Sequence, residues 1–201
     1  MGTSWITSDL HDGHTNIYNY EPERARLLGD TITEMREAMI SNINSVVEPD
    51  DTLYILGDVT FHHKIGEVIE FVRRINGTKH LVYGNHDGVI RKHHDIFIPK
   101  FFASAQDMLH FRIKTRLGKR LVIMNHYPLA AQPEGHFGSF HFYGHLHGHG
   151  LEFKYNHAMD VGIDGSTGFM PYRLDLLIEQ FLQREENGEV ELRHDGLLSE
   201  I

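Results

Sequence analysis

Short apolar, β-branched runs recur along the chain between polar loops: Trp5-Ile6-Thr7, Thr52-Leu53-Tyr54-Ile55-Leu56, His80-Leu81-Val82-Tyr83, Arg120-Leu121-Val122-Ile123-Met124 and Phe140-His141-Phe142-Tyr143. Runs of this length and composition predict strands, mostly buried on both faces. Between the first two, Ile32, Met35, Met39, Ile43, Val46 and Val47 recur at spacings of three and four, the stripe of an amphipathic helix. Thr31 and Glu34 form a capping box at its start. Ile65, Val68, Ile69, Val72 and Ile75 repeat the pattern up to Asn76-Gly77, a helix stop. The order β-α-β-α-β predicts an α/β fold with parallel strands. From Tyr127 to Ser139 the chain is too short, and too rich in Pro and Gly, for another crossover helix. The later strands are therefore joined by loops, in a mixed or two-sheet arrangement. Leu174, Leu177, Ile178, Phe181 and Leu182 predict a last helix behind Pro171, and alternation from Glu189 to Arg193 predicts an edge strand.

Composition narrows the setting. The 201 residues suit one domain, 1–201, with a core over about 4–185. No apolar run approaches the roughly 18 residues of a membrane span. The N-terminus lacks the charged start and apolar segment of a secretory signal, so a cytoplasmic location is expected. The absence of cysteine excludes disulfides and thiolate metal sites. A formal net charge of -9 weighs against nonspecific binding to nucleic acid or to anionic membranes. Seventeen histidines, against 19 Lys plus Arg, are the unusual count, because imidazole is a common ligand for Zn, Ni, Fe and Cu.

The residues that follow the strands carry the chemistry. The five runs lead into Asp9-Leu10-His11, Gly57-Asp58, Gly84-Asn85-His86-Asp87, Asn125-His126 and Gly144-His145-Leu146-His147. In α/β sheets ligands bind beyond the C-terminal ends of the strands, so five segments direct Asp, Asn or His toward one place. Asp9, His11, Asp58, Asn85, His126, His145 and His147 offer oxygen and imidazole nitrogen without sulfur. Such a set suits two divalent ions, Mn first, with Fe, Zn, Ni, Co or Mg as alternatives, and one carboxylate must bridge them. Two ions about 3.5 to 4 Å apart clamp the attacking and leaving oxygens at phosphorus and lower the pKa of a bridging water. Phosphoester hydrolysis is the matching chemistry.

In order and spacing these segments resemble the calcineurin-like metallophosphoesterases, whose signature is D-x-H, G-D, G-N-H-D, a lone His and G-H-x-H. The resemblance covers about residues 4 to 172, including the stretches "MDVGID" and "GFMPYRL". It implies a two-sheet β-sandwich, mixed parallel and antiparallel, flanked by helices. It further implies that Asp9, His11 and His147 hold one ion, that Asn85, His126 and His145 hold the other, and that Asp58 bridges. His86 is then the non-ligand that steadies the phosphoryl oxygens or protonates the leaving group, with Asp87 orienting it. A neighbouring Asp87 carboxylate would also favour the charged imidazolium. Within the run "FHFYGHLHGHG", His145 and His147 are expected about 6.5 to 7 Å apart on one strand face, His141 to be packed, and His149 to lie beyond the ligands.

Competing readings attach to the remaining residues. Asp12-Gly13-His14 copies D-x-H but lies deeper in its loop, which leaves His14 as a second-layer or substrate residue alongside His62, Tyr127 and His149. Gly29-Asp30 copies Gly57-Asp58 but follows no strand and reads as a helix lead-in. His93-His94-Asp95 and His194-Asp195 could each centre an all-helical HD phosphohydrolase, a reading the strand-rich pattern opposes. His63, His136, Asp164 and Phe169 are rim candidates, and Arg91 and Lys92 read as solvated surface. The expected function is hydrolysis of a small phosphoester, a phosphodiester or nucleotide for preference, by a monomer or homo-oligomer. A non-catalytic scaffold on the same fold and a histidine-rich metal store are the alternatives from other classes.

Overall fold

A computed structural model describes residues 2–149, 157–190 and 192. Strand β1 (Ser4–Thr7) leads through α1 (Ile17–Tyr20) and α2 (Pro22–Leu28) into α3 (Ile32–Val46). β2 (Thr52–Ile55), α4 (Ile65–Val72) and β3 (Thr78–Val82) follow, then α5 (Gly88–Lys92), α6 (His94–Phe97) and β4 (Ser104–Gln106). The second half contains β5 (Met108–Thr115), β6 (Gly118–Asn125), β7 (Phe140–Tyr143), β8 (His157–Asp160), β9 (Tyr172–Arg173) and α7 (Leu174–Glu186).

Two sheets result. The first runs β4-β3-β2-β1-β9, and the second β5-β6-β7-β8. β1 to β4 are parallel, with β9 antiparallel on the β1 edge. In the second sheet β5 and β6 form an antiparallel hairpin, and β7 and β8 add in parallel. This is the mixed, two-sheet α/β sandwich with flanking helices that the motif order implied. Among the described residues no helix is long and apolar enough to cross a membrane.

The strand runs are buried on both faces because alternate residues serve two cores. On one side of the first sheet Leu53, Ile55 and Leu81 pack against Met35, Met39 and Ile43 of α3 and Val68, Phe71 and Val72 of α4. On the other side Ile6, Leu56 and Val82 meet Val122, Met124, Phe140 and Phe142 of the second sheet, closed by Leu174, Leu177 and Phe181 of α7. Each such fully buried side chain contributes about 1.5–3 kcal/mol of transfer free energy. At the start of α3 Thr31 Oγ1 accepts the Glu34 amide at 3.2 Å and Glu34 Oε2 accepts the Thr31 amide at 3.0 Å, the capping box expected there.

Some elements differ from expectation. α4 ends at Val72, three residues short of the last apolar position. β5 is a full strand that pairs all along β6, its residues alternating between exposed and half-buried. Its alternation of Leu109, Phe111 and Ile113 with polar residues is the period-two signal. The strand expected over Glu189–Arg193 is absent at Glu189 and Val190, and Glu191 and Arg193 lie outside the described residues, as do His194 and Asp195.

Candidate active site

The loops beyond β1 and β2 continue side by side. Asp9 N donates to Gly57 O at 3.1 Å, His11 N to Asp58 O at 2.9 Å and Asp12 N to Val59 O at 3.2 Å. Their backbones turn sharply inward. Among the described residues, five of the seven non-glycine residues with positive φ are Asp9, Asp58, His11, His145 and His147. Strain of this kind persists where surrounding structure holds it and is concentrated at functional sites. His145 and His147 follow the end of β7 in this left-handed conformation, so they do not share a strand face. Local turns, not strand register, aim the two rings.

Two clusters of donor atoms form there. Asp9, His11 and His147 make one, and Asp58, His126 and His145 the other, the donor atoms of each cluster lying within 4.8 Å of one another. Asn85 joins the second, its Oδ1 being 2.9 Å from His126 Nε2. Asp58 Oδ2 stands between the clusters, 3.5 Å from His11 Nε2 and 3.6 Å from His126 Nε2.

The surroundings set the direction of each donor. Asp58 Oδ1 accepts the His86 amide at 2.8 Å, and Asp9 Oδ2 accepts the His145 amide at 2.9 Å, so each carboxylate keeps one oxygen for the centre. His126 Nδ1 lies 2.7 Å from Leu56 O and His147 Nδ1 2.8 Å from Asp164 Oδ2, bonds that fix each ring and, in the neutral tautomer that donates through Nδ1, make Nε2 the ligating atom. A Cβ on Gly84 would fall on Asp58 Oδ1, and one on Gly144 on Ser8 Oγ and within 2.8 Å of Asp9 Oδ2. Only glycine lets these backbones approach so closely.

The protein alone leaves this centre unsatisfied. Asp9 Oδ1 and both ring nitrogens of His11 are buried without a hydrogen-bond partner. Burial pushes the Asp9 carboxyl up to about 7, and burial, followed by repulsion from His147, pushes His11 far below the usual imidazole range. Burial also lowers His126, although Asp58 opposes it. Buried, unpaired oxygen and neutral imidazole are the state a divalent cation completes. The residues present therefore fit a pair of such ions.

The Asp87 reading needs correction. Asp87 does not touch the His86 ring. Its Oδ2 accepts the amides of Asp58 at 3.0 Å and Gly84 at 2.8 Å, and its Oδ1 that of Val59 at 2.9 Å. The carboxylate is a buried clamp joining the β2 and β3 loops, so it does not serve as an orienting partner for its neighbour. The His86 ring instead rests 4.1 Å from the Phe61 ring, with Nε2 3.9 Å from Asp58 Oδ2. His14 stacks on the same Phe61, at 3.7 Å. The Tyr127 ring lies 4.7 Å from that of His145, and its hydroxyl donates to Asn85 Oδ1 at 3.3 Å.

His62 turns away from the centre, held by Arg36 at 2.6 Å, Asp12 and Glu67. His149 is exposed, with Glu21 Oε1 3.6 Å away. His141 is packed, as expected, and Phe169 is buried in the helical core.

A family model described as calcineurin-like phosphoesterase matches residues 3–198. The chain belongs to that family. Membership carries metal-dependent phosphoester hydrolysis as the family's chemistry. The chain is 36% identical over 90 residues to the Gene 66 protein of Mycobacterium phage L5, across 44% of this chain and 41% of that protein. It is 32% identical over 88 residues to Uncharacterized protein MJ1445 of Methanocaldococcus jannaschii, across 43% of this chain and 48% of the other. In each case the match spans less than half of the curated relative. The crystal structure of a protein of unknown function from Aquifex aeolicus shares the fold, with a TM-score of 0.62 at 22% identity over 90% of this chain and 100% of that one.

Two positions beside the site escaped sequence reasoning. Arg24 of α2 is fully buried and donates to both oxygens of Asp164, at 2.6 and 2.7 Å, to Leu10 O at 2.8 Å and to Asp9 O at 2.6 Å. Asp164, read only as a rim residue, thereby links Arg24 to His147. Burial opposes ionisation of Asp164, but the bonds from Arg24 and His147 hold its carboxyl below the usual range. Burial, the largest single influence, would lower His147, but the Asp164 bond together with the negative charges of Asp9 and Asp164 raises the imidazole. The second position is Asp160, whose carboxylate accepts the amides of Gly148 at 2.9 Å and Gly162 at 2.8 Å and anchors the turn carrying His147. Nothing in the sequence separates Arg24 from Arg26, which lies exposed and paired with Glu23.

Proposed function

We propose that the chain hydrolyses a small phosphoester at two divalent cations, with phosphodiesters or nucleotides preferred and Mn the first choice of metal. The observation that carries this reading is the placement of Asp58 Oδ2 between two separate donor clusters. Asp9, His11 and His147 would hold one ion, Asn85, His126 and His145 the second, and Asp58 both. Such a pair of cations, when bound, neutralises phosphoryl charge and makes hydroxide accessible near neutral pH.

The chain's own groups supply the rest. His86 is half-exposed at the edge of the centre, held by Phe61 and outside both clusters. It is placed to bond a phosphoryl oxygen or to give a proton to the leaving alcohol as the P–O bond breaks and water supplies the new oxygen. Asn85 is held by Tyr127 and His126 at the second cluster, beside the open side on which the ester's substituent would extend.

The test is protein stripped of metal, refilled with Mn, Fe, Zn, Ni, Co or Mg, and assayed on an activated phosphodiester and an activated phosphomonoester. Metal-dependent turnover, faster on the diester, is expected. Absence of turnover with every metal would overturn the reading.

A further inference from the structure

A cleft of about 470 Å³ opens beside the second donor cluster, within the size range of small-ligand sites. Asn85, which joins that cluster, is one of the cleft's lining residues. Tyr83 and Arg91 line it from the same β3–α5 stretch, joined by Asp107 before β5, Asn125 at the end of β6 and Tyr127 beyond it. Nothing in the reaction described above uses Arg91, Asp107 or Asn125.

The lining has a definite chemistry. Arg91 lies over the Tyr83 ring at 4.1 Å and pairs through Nη2 with the Asp107 carboxylate. Tyr83 is itself fixed by a 2.9 Å bond between its hydroxyl and His94 Nδ1. Tyr127, which also lines the cleft, is 45% exposed, one of the few large aromatic residues among those described that are left open to solvent. Asn125 is held at 3.1 Å to Tyr127 O and 3.0 Å from its own neighbour's amide, which leaves one N–H and one lone pair unspent.

These features select a ligand. The lining's one cation is already neutralised by its one carboxylate, so a second phosphate would sit against Asp107. An apolar tail would strip water from two amides and an ion pair without replacing their bonds. A flat, uncharged group with donor and acceptor edges and a π-face meets all of them. Resting on the hydrolase reading above, we propose that this cleft seats a nucleobase, so that the substrate is a nucleoside phosphoester. Its phosphoryl group lies at the two donor clusters, its base stacks on Tyr127, and the base edge reaches the Arg91–Asp107 pair and Asn125.

The test uses Mn-loaded protein and two ligands that differ only by the base, a nucleoside 5′-monophosphate and ribose 5-phosphate, titrated calorimetrically. Stacking and edge contacts predict about tenfold tighter binding of the nucleotide. Tyr127→Leu and Arg91→Met should each shrink that ratio severalfold, and Asp107→Ala, at an exposed turn, serves if either fails to fold. Equal binding of the two ligands by the wild type, or a ratio untouched in these variants, would overturn the proposal. So would ribose 1,5-bisphosphate binding more tightly than the nucleotide, which would make Arg91 an anion site. Turnover of a simple diester without base preference would sink this inference alone. A clear base preference without turnover of any ester would sink the hydrolase reading and leave the cleft assignment standing.

Discussion

Asp164 Oδ2 accepts a hydrogen bond from His147 Nδ1 at 2.8 Å, and the same carboxylate is gripped by buried Arg24. The chain Arg24–Asp164–His147 fixes one ring and, through Arg24, the carbonyls of Asp9 and Leu10. Asp164→Asn should weaken the metal affinity of the Asp9, His11 and His147 cluster about 10- to 100-fold, the usual effect of losing a ligand's supporting partner. Arg24→Met leaves Asp164 charged, buried and half-paired, and should cost about 3–5 kcal/mol of stability. Metal titration of the first variant and urea unfolding of the second check both, and wild-type values in either would remove the chain from the site.

His86 and Asp58 should separate cleanly. His86 belongs to neither donor cluster, whereas Asp58 Oδ2 faces both. His86→Ala is expected to retain two ions per chain while losing about 10²- to 10⁴-fold in kcat, the usual range for a lost proton donor. Asp58→Asn is expected to bind fewer ions. Metal analysis beside steady-state rates decides it, and equal metal loss in the two variants would reverse the assigned roles.

The divide between what the sequence revealed and what it hid follows physical range. Asp9, Asp58, Asn85, His126, His145 and His147 were legible because each lies just past an apolar run whose end a local pattern marks. The same locality misled at Asp87. Its nearest neighbour in sequence is His86, but its carboxylate reaches back to the amides of Asp58, Val59 and Gly84. Arg24 was hidden because its partners Asp9 and Asp164 lie 15 and 140 positions away. Arg91 is exposed, as its sequence reading had it, but its setting could not be read locally. Only the fold brings Tyr83, Asp107 and Tyr127 around it.

Gly144 tests how tightly the centre is built. A Cβ there would overlap Ser8 Oγ, which donates to Leu56 O at 2.8 Å, and would crowd Asp9 Oδ2. Gly144→Ala should therefore displace Asp9, lower metal occupancy of its cluster and cost about 1–3 kcal/mol, the range for overpacking a well-filled interior. Gly66→Ala in α4, whose added Cβ would meet nothing within 4 Å and whose φ is not positive, is the unhindered control. Full metal occupancy in Gly144→Ala would show that the β7 loop can yield.

His141 should make the protein acid-sensitive independently of the metal centre. It is fully buried in β7, with neither ring nitrogen hydrogen-bonded. Burial pushes it from its ordinary 6.5 down to about 4. The unfolded chain therefore binds this proton first, and stability falls as pH drops from about 6.5 toward 4, by up to about 3 kcal/mol, with no further loss below. His157 is lowered to about 4 in the same way, by burial first and then by Arg120 and Arg184, and adds to the same window. The buried carboxyls Asp9 and Asp87, raised by burial to about 7 and about 6, act in the opposite sense, so only a difference measurement isolates His141. His141→Leu removes its titration and its two unsatisfied nitrogens. Relative to wild type it should gain about 1 kcal/mol at pH 7 and about 2–3 kcal/mol more at pH 4.5. Urea unfolding at both pH values measures the gap, and parallel pH profiles for the two proteins would refute it.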